Sequence, residues 1–408
     1  MFSEQIELRG HIIDSFTLPK VLDEILANGG TFKISEVRIG QQRTDTSYAR
    51  IEVSAARPEA VDEIVKKLRV HGAELIGEDE AQLAPAPADG VFPPDFYVTS
   101  NLPTFVRHEE RWIEMQPVIM DSAIVVDPAA RTASPVKFYD VRKGMLIATG
   151  HRGIRVSPYA RGTQRLSEFE FMASNVSTEK PKTAVIRALA TEMRLTRKRG
   201  GRILIVGGPA IVHTGAGEHL ENLIQRGFVQ LLFAGNALAV HDIEQSLFGT
   251  SLGVYLREGT LAQEGHENHM RAINTIRAAG GIAAAVRAGT LQRGVMYQCV
   301  QHGVDFVLAG SIRDDGPLPE VITDVIQSQK AMRSRLAGVE FALMLGTMLH
   351  SIAVGNLLPA SVKTACVDIN PGVVTKLADR GTFQALGLVT DLEPFLRELT
   401  EVLASEKS

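Results

Sequence analysis

Cysteine is almost missing from this chain, with Cys299 and Cys366 the only two in 408 residues. Both lie inside apolar runs far apart in sequence, which speaks against a disulfide framework or a cysteine-based metal site. That usage fits a reducing compartment, so a cytoplasmic location is expected. Long apolar runs are missing as well. Stretches such as Phe306–Gly310 and Phe341–Gly346 fall far short of the ~20 residues a membrane span requires, so no membrane partner is expected. The start, Met1-Phe2-Ser3-Glu4-Gln5, lacks the basic opening and apolar stretch of a signal peptide. Nor does one sign of charge dominate. Against 47 acidic residues stand 43 basic ones, a formal balance of -4, too mild for a polyanion-binding surface, so nucleic acid is not an expected partner.

What remains is a globular composition, long enough for two or three domains of about 100–200 residues each. The first eighty residues alternate strand and helix signals: Ile6-Glu7-Leu8, a helix Pro19–Asn28, strands at Phe32–Ile39 and Ala49–Val53, a helix Pro58–Val70, then Glu74-Leu75-Ile76. That order, βαββαβ, is the ferredoxin-like plan, here assigned to residues 1–83. Ala84-Pro85-Ala86-Pro87-Ala88-Asp89-Gly90 has the composition of an extended linker. Residues 91–177 are expected to form a small β-rich module, and residues 178–408 a Rossmann-like parallel α/β domain. A helix from Pro181 to Arg199 ends in Arg197-Lys198-Arg199, charges that suit a helix C-terminus. Beyond it, continuous apolar runs at Ile203–Val206, Val229–Ala234, Phe306–Ala309, Phe341–Leu345, Val362–Val367 and Leu386–Val389 alternate with helical stretches. Runs apolar on both faces predict a parallel sheet covered on both sides.

In such a sheet ligands bind beyond the carboxyl ends of the strands. The residues there are rich in glycine and polar groups: Gly207-Gly208-Pro209 through Gly217, Gly235-Asn236-Ala237, Gly310 through Gly316, Gly346 through Ser351, and Asp368-Ile369-Asn370. The first loop is neither G-x-G-x-x-G nor a P-loop and could be only a tight βα turn. Five strand ends of one character favour a nucleotide site. An acidic residue ending a strand, as Asp368 does, suits the hydroxyls of a ribose. Asp314-Asp315, behind Arg313, could supply acid–base chemistry or merely turn chemistry. His213, His241 and His350 each lie in one of these loops, which leaves a shared site open, although a lone histidine is more often structural. Metal spacing is absent, His266 and His269 being three apart at a helix start, so no metal is expected. Cys366 belongs to the core.

At these loops the sequence resembles a known family. Gly208-Pro209-Ala210-Ile211-Val212-His213-Thr214-Gly215, the run Ala234–Glu244, the run Ala309–Pro319, and Cys366-Val367-Asp368-Ile369-Asn370-Pro371 look like the archaeal-type ornithine cyclodeaminases. That family carries the label of a lysine-ketoglutarate reductase/saccharopine dehydrogenase region, and it recurs as the C-terminal part of bifunctional cyanobacterial arginine dihydrolase/ornithine cyclodeaminases. The likeness covers essentially the whole chain, with no room for the dihydrolase domain. It implies tightly held NAD in a domain related to that of deoxyhypusine synthase. Contacts would fall at Asn236, Ala237, Asp314, Asp315, Thr347, Met348, Leu349, His350, Asp368, Leu388 and Val389. The implied reaction converts L-ornithine to L-proline and ammonia: hydride leaves the α-carbon, the distal amine closes a ring, ammonia departs and the hydride returns. Asp314 or Asp315 would handle the substrate amine or its proton, and Arg313 or Arg152 the carboxylate. Rival readings are a saccharopine- or opine-type dehydrogenase, and a non-catalytic sensor in which the N-terminal unit binds an amino acid. A symmetric homo-oligomer is the usual state of parallel α/β enzymes.

Overall fold

Alternating Ile6 and Leu8 with Glu7 and Arg9 makes β1 (Phe2–Gly10) half apolar, and β3 (Ser47–Ala55) pairs with it antiparallel so that Ile6 faces Ile51 and Leu8 faces Ala49. In the computed structural model, residues 2–10, 12–13, 17–40, 45, 47–68, 71–75, 80–157, 182–252, 254–255, 268–314, 316–379 and 385–405 are described. The chain divides into two compact units, Met1–Arg165 and Leu166–Ser408. Asp315, His266, residues 158–177 of the expected β module and residues 178–181 beyond it lie outside the described residues.

The first unit opens with a four-stranded sheet ordered β2-β3-β1-β4, where β2 is Thr31–Arg38 and β4 Glu74–Leu75. Helices Thr17–Ala27 and Pro58–Leu68 bury Val21, Ile25, Ile64 and Leu68 against it. This is the expected βαββαβ order, with ends displaced by one or two residues except for β1, which starts four residues earlier than expected. The linker expectation is overturned. Gln82–Pro85 forms strand β5, paired with β10 (Leu146–Thr149), and Ala86 is buried with its N–H on the Met145 carbonyl. Proline is tolerated there because β5 is an edge strand. The sheet continues through β8 (Ala123–Asp127) to β9 (Thr132–Val136), and a second holds β6 (Thr104–His108), β7 (Arg111–Glu114) and β11 (Ile154–Val156).

The second unit is built on seven parallel strands: β12 (Arg202–Gly207), β13 (Leu231–Gly235), β16 (Asp305–Ala309), β17 (Val321–Ile322), β18 (Val339–Leu345), β19 (Lys363–Asp368) and β20 (Ala385–Val389). A short hairpin of β14 (Thr250–Ser251) and β15 (Val254–Tyr255) stands beside them. All six expected runs became strands, and β17, a two-residue edge strand, was missed. Successive residues enter opposite cores: Ile203 and Ile205 join one, with Val185, Leu220 and Phe395, while Leu204 and Val206 join the other, with Met332, Val354 and Val374. That double burial is why the strands have no polar alternation.

The order β17-β16-β13-β12-β18-β19-β20 places the first strand in the middle. The chain grows outward from β12 to β17, then returns to the other side of β12 for β18 to β20. A switch point therefore falls between β12 and β18, and a crevice opens at their carboxyl ends. The basic run on helix Lys182–Lys198 is tied down. Arg199 and Lys363 both reach the buried Glu192, at 3.2 and 2.7 Å, and Arg197 lies over the Phe228 ring.

Candidate active site

Glycine clears the crevice. A side chain at position 208 would set its Cβ 2.1 Å from the Gly346 carbonyl oxygen, so the ends of β12 and β18 approach as bare backbone. Gly346 itself has φ +58, the left-handed region that glycine favours, and turns the chain from β18 into helix Met348–Gly355. Three more helices start along this edge, at Asn236 after β13, Pro371 after β19 and Leu392 after β20. Their free N–H groups and dipoles suit an anionic ligand.

From Gly346, helix Met348–Gly355 leads to β19, which ends roughly twenty residues on at Asp368, the spacing at which an acidic residue meets a ribose in a dinucleotide-binding βαβ unit. Asp368 is buried, and its Oδ1 accepts the Asn370 N–H at 2.8 Å. That bond fixes the carboxylate at the rim. Thr347 lies at the helix start with Oγ1 3.3 Å from His350 Nδ1. The His350 ring reaches across the crest of β12 to pack against Gly235, where an added Cβ would lie 3.0 Å away. Burial lowers the His350 pKa, which favours the neutral ring. Leu349 is exposed, Met348 half-buried, Leu388 buried and Val389 half-buried.

Asn236 is buried, and its Oδ1 accepts the Leu318 N–H at 3.1 Å, which anchors the loop beyond β16. Ala237 follows it in the first turn. In that loop Ser311 N–H donates to Asp314 Oδ2 at 2.8 Å, so this carboxylate shapes its own turn, and Arg313 is exposed beside it. Arg152 is exposed on the turn before β11, in the first unit.

Of the three loop histidines weighed together in the sequence, the fold pairs two. His213 and His241 stack edge to face with ring centroids 4.8 Å apart, and His269 stands 6.4 Å from His241. Beneath them the fully buried Glu244 accepts from His241 Nδ1 at 2.8 Å and from Thr250 Oγ1 at 2.9 Å. His213 Nδ1 lies 2.7 Å from Ser251 Oγ, and burial, with the charge of His241, lowers its pKa to about 4 against an opposing pull from Glu244. Neighbouring Asp242 faces elsewhere. Its two oxygens accept the N–H groups of Val295 and Met296 at 2.7 and 2.8 Å, and burial raises its pKa to about 7. Among the described residues no group of three His, Cys, Asp or Glu side chains fits a metal ion. Cys299 and Cys366 are buried free thiols whose pKa burial raises.

A doubly wound parallel sheet with a glycine-cleared switch point and a carboxylate ending the strand beyond it defines a Rossmann-type dinucleotide-binding protein. Comparison with known proteins narrows this. The family described as the Rossmann-fold C-terminal region of ArgZ-like arginine dihydrolases matches residues 187–399, the first region of the same C-terminal part matches residues 103–186, and the LOR/SDH bifunctional enzyme conserved region matches residues 3–102. An ornithine cyclodeaminase of Methanocaldococcus jannaschii is 54% identical over 99% of this chain and 96% of its own. The chain belongs to this family, that of the archaeal ornithine cyclodeaminases and the C-terminal part of the cyanobacterial ArgZ and AgrE proteins. The crystal structure of a LOR/SDH protein from Methanococcus maripaludis superposes with TM-score 0.75 at 48% identity, covering 80% of this chain and 98% of that one. AgrE in its ternary complex with ornithine and NAD+ superposes with TM-score 0.54 at 43% identity. That match covers 99% of this chain, which spans 57% of AgrE.

Proposed function

We propose that this chain is an NAD-dependent ornithine cyclodeaminase, converting L-ornithine to L-proline and ammonia. The observation that carries the reading is the βαβ unit from Gly346 to Asp368 facing Gly208 across the switch point, in a family with a relative solved with ornithine and NAD+. The residues fit the cofactor: bare backbone where a pyrophosphate needs close approach, helix N-termini for its charge, and a fixed carboxylate for a ribose. Bound there, NAD supplies a hydride acceptor that ends the turnover as it began.

Thr347, Met348 and the start of their helix would hold the pyrophosphate, and the second oxygen of Asp368 the ribose hydroxyls. Leu388 and Val389 wall the far side. The adenosine half is thereby assigned to β18 and β19, and the reacting half to the ends of β12, β13 and β16. There Asn236 and Ala237 set the loop, Asp314 is assigned to the substrate ammonium and Arg313 to its carboxylate. Ile312, Leu349 and Ile369, all exposed and apolar, stand at three of these strand ends and would keep water from a hydrolysable intermediate. Buried free thiols suit a cytoplasmic location, and the family of folds favours a symmetric homo-oligomer.

The test follows proline, ammonia and the absorbance of reduced nicotinamide together after L-ornithine and NAD are added to purified protein. Proline and ammonia in equal amounts with no lasting reduced nicotinamide is the expected result. Lasting reduced nicotinamide would make it a dehydrogenase, and no product at all a sensor.

A further inference from the structure

Ornithine enters carrying two ammonium groups and one carboxylate, and proline leaves as a zwitterion beside an ammonium ion. No proton is gained or lost overall. Yet an ammonium has no lone pair, so the substrate nitrogen must surrender a proton before hydride can leave its carbon or a ring can close. The protein must take up that proton and give it back when ammonia departs. A base for this duty needs a site that fixes its tautomer, tolerates its charge when protonated, and sits on the reacting side of the crevice.

Resting on the ornithine reading above, we propose that His241 is the catalytic base of the amine chemistry, with Glu244 and His213 as its positioning residues. A carboxylate accepts, so the 2.8 Å contact to Glu244 Oε2 assigns the His241 proton to Nδ1 and leaves the lone pair on Nε2. Glu244 is itself held by Thr250 Oγ1 at 2.9 Å and the Leu252 N–H at 3.3 Å, and Asn268 Nδ2 donates to Thr250 Oγ1 at 3.0 Å. Its charge thus stands ready under the ring. His213 closes the other side, tied to Ser251 Oγ. Because its ring stays neutral, it opposes no positive charge on His241. His269 is the third titratable ring near His241, and Asp242 spends both oxygens on Val295 and Met296.

Placement agrees with the duty. His213 ends the short helix that follows Gly207-Gly208-Pro209, and His241 lies on the helix that starts at Asn236, so both belong to the adjacent strand ends on the flank away from Asp368. In the step itself an N–H bond of the α-ammonium breaks, the proton passes to His241 Nε2 and the electron pair stays on nitrogen, while the proton that the distal ammonium loses before ring closure ends on the ring nitrogen of proline. The same proton returns to the departing amine as ammonium.

The experiment compares wild type with His241→Asn, whose amide replaces Nδ1 and can keep the bond to Glu244 while removing Nε2, and with Glu244→Gln. Proline formation is measured against pH, and NAD affinity by titration calorimetry. His241→Asn should lower kcat by about 10²–10⁴-fold with NAD affinity within about threefold of wild type. Glu244→Gln should lower kcat less. It should also move the acid limb of the kcat profile down by about one pH unit, because losing the carboxylate disfavours the protonated imidazole. A purely packing role for Glu244 would leave that limb in place and overturn its assignment. Wild type that binds NAD but releases no proline overturns the ornithine reading and this base together. An active wild type matched within about threefold in kcat by His241→Asn overturns the base alone. Should His241→Asn fail to bind NAD, the Glu244→Gln profile decides: a displaced limb upholds the pair and an unmoved limb overturns it.

Discussion

In the site proposed above, the two flanks of the switch point would solve opposite problems with opposite materials. Beyond β18 and β19 the working groups are backbone N–H, a bare glycine, a threonine and one fixed carboxylate. Beyond β12 and β13 they are imidazoles and buried acids. Holding a phosphate asks mainly that side chains be absent, so the first flank is short-range: Gly346, Thr347 and His350 lie within one turn, and Asp368 is steadied by a residue two positions on. Moving a proton asks for ionisable groups away from water, which is costly unless each is paired. The second flank therefore draws on distant chain. Asp242 is satisfied by Val295 and Met296, and His213 by Ser251.

The largest effect that could break this comparison is expected from Gly208→Ala. Its Cβ would lie 2.1 Å from the Gly346 carbonyl, backbone that cannot step aside without parting the strand ends. NAD affinity, read by calorimetry, should fall by more than about 100-fold, a loss of roughly 3 kcal/mol. Affinity within about threefold of wild type would mean that bare backbone at the switch point is not what the holding flank depends on.

That contrast also explains what the sequence made legible. The strand ends assigned to the holding flank stood out directly, because each follows an apolar run and its glycines and Asp368 are local signals. The flank assigned to the reaction stood out only in part: Asn236, Arg313 and Asp314 lie in strand-end loops, whereas the histidine–glutamate cluster is assembled by packing. His213 and His241 stood out with His350 as candidates for a shared site, but which two meet depends on how two helices pack, and Glu244 carried no role of its own. Asp242 passed for part of a motif, and its role as a buried acceptor for N–H groups at the start of helix Val295–Gln301 exists only in three dimensions. The same limit applies at Ala84-Pro85: composition pointed to a linker, whereas the neighbouring β10 makes it an edge strand.

Asp368→Asn sharpens the division at smaller cost. The amide oxygen can keep the Asn370 N–H, while the other position becomes a donor facing the ribose hydroxyls. NAD affinity should weaken about tenfold, near 1.4 kcal/mol, with kcat at saturating NAD within about threefold of wild type. A fall in kcat without a loss of affinity would place chemistry on the holding flank and erase the distinction.

The smallest effect tests whether the reacting flank really keeps an imidazole out of water. Burial, then the charge of His241, lowers the folded pKa of His213 to about 4, while the unfolded value is near the ordinary 6.5. Between those values the unfolded chain binds a proton that the folded one refuses, so the contribution to stability is whole above about 6.5 and is lost as pH falls toward about 4. His213→Asn, whose amide can keep the Ser251 bond, removes that titration. Its urea midpoint should therefore fall less steeply than wild type across that acid window, with carboxylate contributions cancelling between the two proteins. Parallel slopes would show a His213 as easily protonated in the fold as outside it. Its charge would then oppose that of a protonated His241, and the neutral partner assigned to the base would be gone.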